Sequence, residues 1–192
     1  MVISAEEKLE IREKVAKPML WLGIVSMVMI FAGLTSAYVV RQAKGDWLNF
    51  ELPNKFWIST GIIIFSSVTM NRALTSAKKN NFAQVKQALF LTLLLGLGFV
   101  ISQLMAWGDL VKQQIFFTGK LSNASGSFLY VISGVHLAHL LAGILSVLFT
   151  LTMAMKEKYH SNNIMGLKLC WIFWHFLDVL WIYLFLFLLF VH

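Results

Sequence analysis

Long apolar stretches alternate with short polar connections along the whole chain. Residues 19–40 contain 22 positions without a charge, and residues 88–108 contain 21. Residues 128–155 are uncharged and include two histidines; residues 169–191 include one histidine and one aspartate. A helix needs about 20 apolar residues to cross the hydrocarbon of a bilayer. These four stretches satisfy that requirement. A fifth, residues 56–70, is shorter and spans only if it runs from about 52 to 74. Each span must be helical, because lipid offers no partner to open backbone groups. The pattern therefore predicts an all-α, polytopic membrane protein. Its five transmembrane helices lie near 19–40, 52–74, 88–111, 128–155 and 169–191 and form one domain over 19–192.

Residues 1–18 are polar and precede the first span. Glu6, Glu7, Glu10 and Glu13 interleave with Lys8, Arg12, Lys14 and Lys17, so the segment lacks the apolar core of a signal peptide. Ser4 and Glu7 have the spacing of a capping box. The expectation is a short cytosolic helix or tail that ends before Pro18. No connection is long enough for a soluble domain. Gly96 and Gly98 sit inside an apolar span, where small residues serve helix packing rather than phosphate binding.

Composition sharpens this picture. Hydrophobic residues make up 58% of the 192 positions and charged residues 13%, against about 45–50% and 25% in soluble domains. Mean hydropathy is +0.73. These values exclude a disordered chain and an ordinary soluble enzyme. The net charge of +7 would suggest nucleic acid in a soluble protein. Here the charges fall between apolar runs and report topology instead, so no nucleic-acid partner is expected. With the N-terminus inside, eleven Lys/Arg lie on the inner side and five on the outer side. The positive-inside rule then places the C-terminal His192 outside. Cys170 is the only cysteine, so no disulfide or CxxC pair can form within the chain.

The residues that could carry chemistry are His136, His139, His175 and Asp178. Ionisable groups at membrane depth are costly, so they normally face protein and have partners. Each pair is three residues apart on one helix, and counting about 1.5 Å per residue places His139 and Asp178 level near the midplane. Three readings stay open. The four residues form a structural network, with Asp178 bonded first of all to His139. Alternatively, the histidines hold a heme or metal. Alternatively, Asp178 couples proton movement in an independent transporter. No HExxH, Walker or nucleophile-elbow pattern is present.

The last span contains Trp174-His175-Phe176-Leu177-Asp178 followed by Trp181-Ile182-Tyr183-Leu184-Phe185. It resembles the WHFxDxxW(I/L)xLF signature of subunit III of the heme-copper oxidases. Gly134, His136, His139 and Gly143 are similar to that family's GxHxxHxxxG segment, and Gly126-Ser127-Phe128 resembles its lead-in. Ser59-Thr60 with Ser66, Ser67 and Thr69 looks like the NTxxLLxSSxT helix. Leu95-Gly96 with Gln103 looks like the LGxxFxxxQ helix. The resemblance covers about residues 19–190 and matches the short bacterial form with five helices. Two positions depart from it: Met27 follows Ser26, and Ala106 precedes Trp107, where the family often carries acids.

The resemblance implies a non-catalytic subunit of a bacterial terminal oxidase in the plasma (inner) membrane. It implies no catalytic, cofactor or metal site in this chain, with hemes and copper in partner subunits. It implies direct packing on subunit I, association with subunits II and IV, and bound phospholipids, and it leaves room for a larger respiratory supercomplex. The implied donor is cytochrome c; subunit III of a quinol oxidase is the alternative. His136, His139, His175 and Asp178 would be structural, and Gly134, Gly143, Trp174, Trp181, Gln103, Ser66 and Ser67 would serve packing.

Overall fold

A computed structural model describes residues 5–45, 47, 48, 50–119, 122–157 and 164–191, with side chains from residue 14 onward. Five helices occur among the described residues: α1 (Ala5–Gln42), α2 (Lys55–Lys78), α3 (Phe82–Lys112), α4 (Ala124–Met155) and α5 (Met165–Phe190). The ends of α3 and α4 follow from local chemistry. Asn81 and Asn123 each cap a helix start by accepting a backbone N–H, from Gln84 and Gly126 respectively, which satisfies a donor left free in the first turn. Asn80 adopts a left-handed conformation, φ 58°, and turns the chain sharply from α2 into α3.

Helices α1, α3, α4 and α5 are each long and apolar enough to cross a membrane. Helix α2 has the length, 24 residues, but falls short in apolarity. It carries Ser59, Thr60, Ser66, Ser67, Thr69, Asn71, Arg72, Thr75 and Ser76. The sequence expectation of a membrane protein with an all-helical fold therefore stands on four helices.

One expectation differs. The chain does not break at Pro18: α1 runs without interruption from Ala5 to Gln42, with Pro18 inside it. Proline in a helix interior removes one backbone donor and crowds the carbonyl four residues back, a local cost of about 3 kcal/mol. Here an uninterrupted apolar run follows at once, and in lipid the helix is the only way to satisfy its backbone. The proposed cap at Ser4, the Glu7 side chain and His192 lie outside the described residues.

Helices α2, α3, α4 and α5 close into a ring in that order, because α2 also packs against α5. Helix α1 lies outside the ring, against α4 and α5. Its inward stripe is Ile24, Met27, Phe31, Thr35 and Tyr38, at helical spacing, all buried. The opposite side of α1, from Met19 through Met29 to Val40, is exposed. Cross-links show which helix ends lie together. Lys55, at the start of α2, pairs with Asp109 near the end of α3 at 2.6 Å. Ser125, at the start of α4, donates to the Leu48 carbonyl before α2. Gln42, ending α1, donates to the Val191 carbonyl after α5 at 2.8 Å. At the far end, Ser76 of α2 donates to Gln84 of α3, and Lys86 of α3 pairs with Glu157 after α4. The five helices thus run alternately up and down.

Candidate functional site

The inner surface of the ring is organised by two tryptophans of α5. Its buried stripe runs through Cys170, Trp174, Leu177, Asp178, Trp181 and Leu184, the spacing of one helical face. Trp174 is fully buried. Its indole Nε1 donates to Ser66 Oγ of α2 at 3.0 Å. The ring edge fills the space above two glycines. A Cβ built on Gly96 of α3 would lie 2.8 Å from Trp174 Cη2. One built on Gly143 of α4 would lie 3.5 Å from the same indole and 2.7 Å from Leu177 Cδ1. All four ring helices therefore meet at this side chain, and the two glycines are what admit it.

Trp181 repeats the arrangement two turns on, about 10 Å along the axis. Its Nε1 donates to Thr60 Oγ1 of α2 at 3.0 Å. Its ring stacks on Phe56 of α2 at 6.0 Å and meets Phe99 of α3 edge-on at 5.0 Å. His136 of α4 lies 5.0 Å away, tilted. Between α2 and α3, Gln103 Nε2 donates to Ser59 Oγ at 2.9 Å, and the Thr69 and Thr92 hydroxyls are bonded at 2.7 Å. Trp107 of α3 donates to Ser133 of α4 at 3.1 Å, and a Cβ on neighbouring Gly134 would just touch the Trp107 ring at 3.8 Å.

Three of the polar residues that make α2 a poor span are the acceptors of this system. Ser59, Thr60 and Ser66 each donate their single hydroxyl proton to a carbonyl three or four residues back in α2, at 2.7–2.9 Å. The proton is thereby committed within the helix, and the oxygen lone pairs are left for an incoming N–H. Gln103, Trp181 and Trp174 supply those N–H groups in turn. A hydroxyl in lipid without such partners would be costly.

The four ionisable residues do not form the expected network. Asp178 is buried between the two tryptophan layers, but neither carboxyl oxygen has a hydrogen-bond partner among the described residues. Its polar neighbour is the half-buried Ser67 of α2, whose hydroxyl does not reach hydrogen-bond geometry with either oxygen. The expected bond to His139 is absent. His139 Nδ1 donates to the Val135 carbonyl at 2.8 Å, and His175 Nδ1 to the Trp171 carbonyl at 3.1 Å. A carbonyl can only accept, so each Nδ1 carries the proton. Both rings are thus satisfied on their own helices. The physical reason for the difference is angular. Asp178 sits at one edge of the buried stripe of α5, and at about 100° per residue His175 lies about 60° beyond that edge; His139 likewise lies at the edge of the α4 stripe that holds His136. His139 and His175 are only half-buried.

His136 is fully buried among Phe31, Phe99 and Trp181, and neither ring nitrogen has a partner among the described residues. Among these residues no group of three or more His, Cys, Asp or Glu could hold a metal ion. The positions where the resembled family often has acids are buried and apolar here: Met27 faces inward on α1, and Ala106 is fully enclosed on α3. Sequence reasoning passed over Thr92 and Ser133. A hydroxyl within an otherwise apolar span was the available signal for both.

A family model described as cytochrome c oxidase subunit III matches residues 48–192, the region that contains every contact of the tryptophan layers. The chain belongs to the cytochrome c oxidase subunit III family. A Nocardia farcinica protein described as "probable cytochrome c oxidase subunit 3" is 31% identical over 180 residues, 90% of this chain and 85% of its own length. Cytochrome c oxidase subunit 3 of Corynebacterium diphtheriae is 31% identical over 85% of this chain and 82% of its own. That of Bacillus sp. strain PS3 is 26% identical over 86% and 80%. With the chain assigned to subunit III of a heme-copper oxidase, the indole–hydroxyl layers are the interior of that subunit.

The geometry gives Asp178 a testable role. Asp178→Asn keeps the shape beside Ser67 and removes the ionisable carboxyl. No histidine loses a partner by this change. The expected result is an assembled oxidase with unchanged turnover and unchanged protons moved per electron, read in reconstituted vesicles. Normal assembly with lost proton movement would make Asp178 a coupling acid instead.

Proposed function

We propose that this chain is the non-catalytic subunit III of a bacterial terminal oxidase that takes electrons from cytochrome c. It stabilises the catalytic subunit and supports proton uptake and turnover. The observation that carries the reading is the chemistry of its interior. Ser59, Thr60 and Ser66 of α2 are each tied to another helix by an amide or indole N–H, and the Thr69 and Thr92 hydroxyls join α2 to α3. The resulting block is rigid and offers a fixed outer face to a larger partner. The printed names of the relatives favour cytochrome c over quinol. An independent transporter would need a polar path to Asp178, whose surroundings are two tryptophan layers and one serine.

In this reading five helices cross the bacterial plasma membrane, with the N-terminus inside and the C-terminus outside. Ser59, Thr60, Ser66 and Thr69 of α2 are buried within the bundle, and the cross-links at its two ends match the ends of α3, which supports a full crossing. The chain packs directly on subunit I, in a complex with subunits II and IV. Those partners hold the hemes and copper, and phospholipids fill grooves on this subunit. A larger respiratory supercomplex is compatible with this arrangement.

Affinity purification in mild detergent tests the proposal. The tagged chain should carry with it large subunits that contain heme and copper, and the complex should oxidise reduced cytochrome c. Oxidation of quinol alone would move the assignment to the quinol branch. Purification without any heme-bearing partner would remove it.

A further inference from the structure

Contacts between neighbouring helices fix the depth of each residue inside the ring. Trp107 of α3 donates to Ser133 of α4, and Gly96 of α3 faces the Ile144 side chain of α4. These two helices run antiparallel, so Gln103, four residues before Trp107 and seven after Gly96, lies opposite residue 137. Gln103 and His136 therefore share one depth to within about 1.5 Å, the rise of a single helical residue. Phe99, one turn before Gln103, meets the His136 ring edge-on at 6.0 Å. Both side chains are enclosed: Gln103 is 1% exposed and His136 0%.

The hydroxyls around them are already committed. Ser59 and Thr60 donate to the Phe56 carbonyl and accept from Gln103 and Trp181 respectively. Ser133 donates to the Leu129 carbonyl and accepts from Trp107. What remains is Gln103 Oε1 and the two ring nitrogens of His136, none of which has a hydrogen-bond partner among the described residues. Their chemistry is complementary. An amide oxygen only accepts, and a neutral imidazole carries one N–H donor and one lone pair. The two groups do not bond each other directly. Buried polar groups without partners are costly, and folded proteins satisfy them with protein atoms or ordered water.

We infer that a water molecule is bound inside the ring between His136 and Gln103. It accepts from the His136 N–H and donates to Gln103 Oε1. Enclosure identifies the occupant. Neither side chain reaches the surface, so no residue of another subunit and no lipid headgroup can supply these bonds. The group that does must be small, and must both accept and donate. The water extends the Ser59–Gln103 bond between α2 and α3 to α4, so that one polar chain joins three helices at this depth. It also fixes which ring nitrogen of His136 carries the proton. His136 thereby has a role distinct from that of His139, which is satisfied by a carbonyl of its own helix. The site lies wholly within this chain and does not depend on the electron donor of the complex.

The test is an electron cryo-microscopy map of the unaltered protein, purified with whatever partners it carries, at a resolution that shows ordered water. A density peak should lie at hydrogen-bond distance, about 2.6–3.2 Å, from both a His136 ring nitrogen and Gln103 Oε1. A direct bond between the two side chains, or no peak between them, would overturn the site. A second measurement follows the energetic link. His136→Phe, Gln103→Leu and the double variant are unfolded from mild detergent into sodium dodecyl sulfate. The two changes should be coupled by about threefold or more in the folding equilibrium constant, the average for one interhelical hydrogen bond in a membrane. Strict additivity of the two losses would show that no bridge joins them.

Discussion

Trp174→Ala should be the most damaging single substitution in the chain, lowering the stability of the folded bundle by about 3–5 kcal/mol. The indole touches all four ring helices, so its loss opens a cavity that no single helix can collapse into. Lipid does not restore the balance, because helix association in a membrane depends on close packing rather than on escape from water. Ser66 loses its N–H partner as well, but that share is small; interhelical hydrogen bonds in membranes average about 0.6 kcal/mol. The measurement is reversible unfolding of the purified chain from mild detergent into sodium dodecyl sulfate. Trp174→Phe, which keeps most of the ring, should cost clearly less. Equal losses for the two variants would mean that the hydrogen bond, not the packed volume, holds the layer.

Gly96→Ala should cost about 1–3 kcal/mol, the usual range for forcing an extra carbon into a filled core. The added Cβ meets Trp174 Cη2 at 2.8 Å, and Trp174 is held by Ser66 on its other side. The conflict is specific to the outer edge of the indole, which phenylalanine lacks. Gly96→Ala combined with Trp174→Phe should therefore be more stable than the sum of the single losses predicts. A strictly additive double variant would show that the two residues do not compete for one space.

The sequence made the helices legible because lipid permits so few alternatives. Apolar runs longer than twenty residues, uncharged in three cases and broken only by Asp178 in the fourth, could become only membrane helices, and α1, α3, α4 and α5 all follow them. The second helix was harder to read, because its serines and threonines are explained only by tryptophans far along the chain. The resemblance singled out Trp174, Trp181, Gly143, Gln103 and Ser66 as a set; the structure shows what joins several of them. Asp178 and the histidines misled by their chemistry. Matching depth suggested a bond, but depth fixes only the coordinate along the helix. The angle around it put His139 and His175 on half-buried edges, where a carbonyl of their own helix was closer. Continuation of α1 through Pro18 was likewise hidden, because a local breaker was weighed without the apolar run that follows it.

The backward donation of the α2 hydroxyls has a consequence for how the protein is made. The ribosome delivers α2 long before α5: Ser66 waits 108 residues for Trp174, and Thr60 waits 121 for Trp181. Through that interval α2 is too polar to be a comfortable lone passenger in lipid. Its own carbonyls already hold the hydroxyl protons, which makes the segment less hydrophilic than its letters suggest. Its nearest help is α3, whose Thr92 and Gln103 follow only 23 and 44 residues behind their partners. Insertion of α2 and α3 together, as one hairpin, follows from that timing. Helix α5, which leaves the ribosome after the other four, then acts as the key that closes the bundle, and a chain truncated before it keeps an open, polar seam for quality control to find.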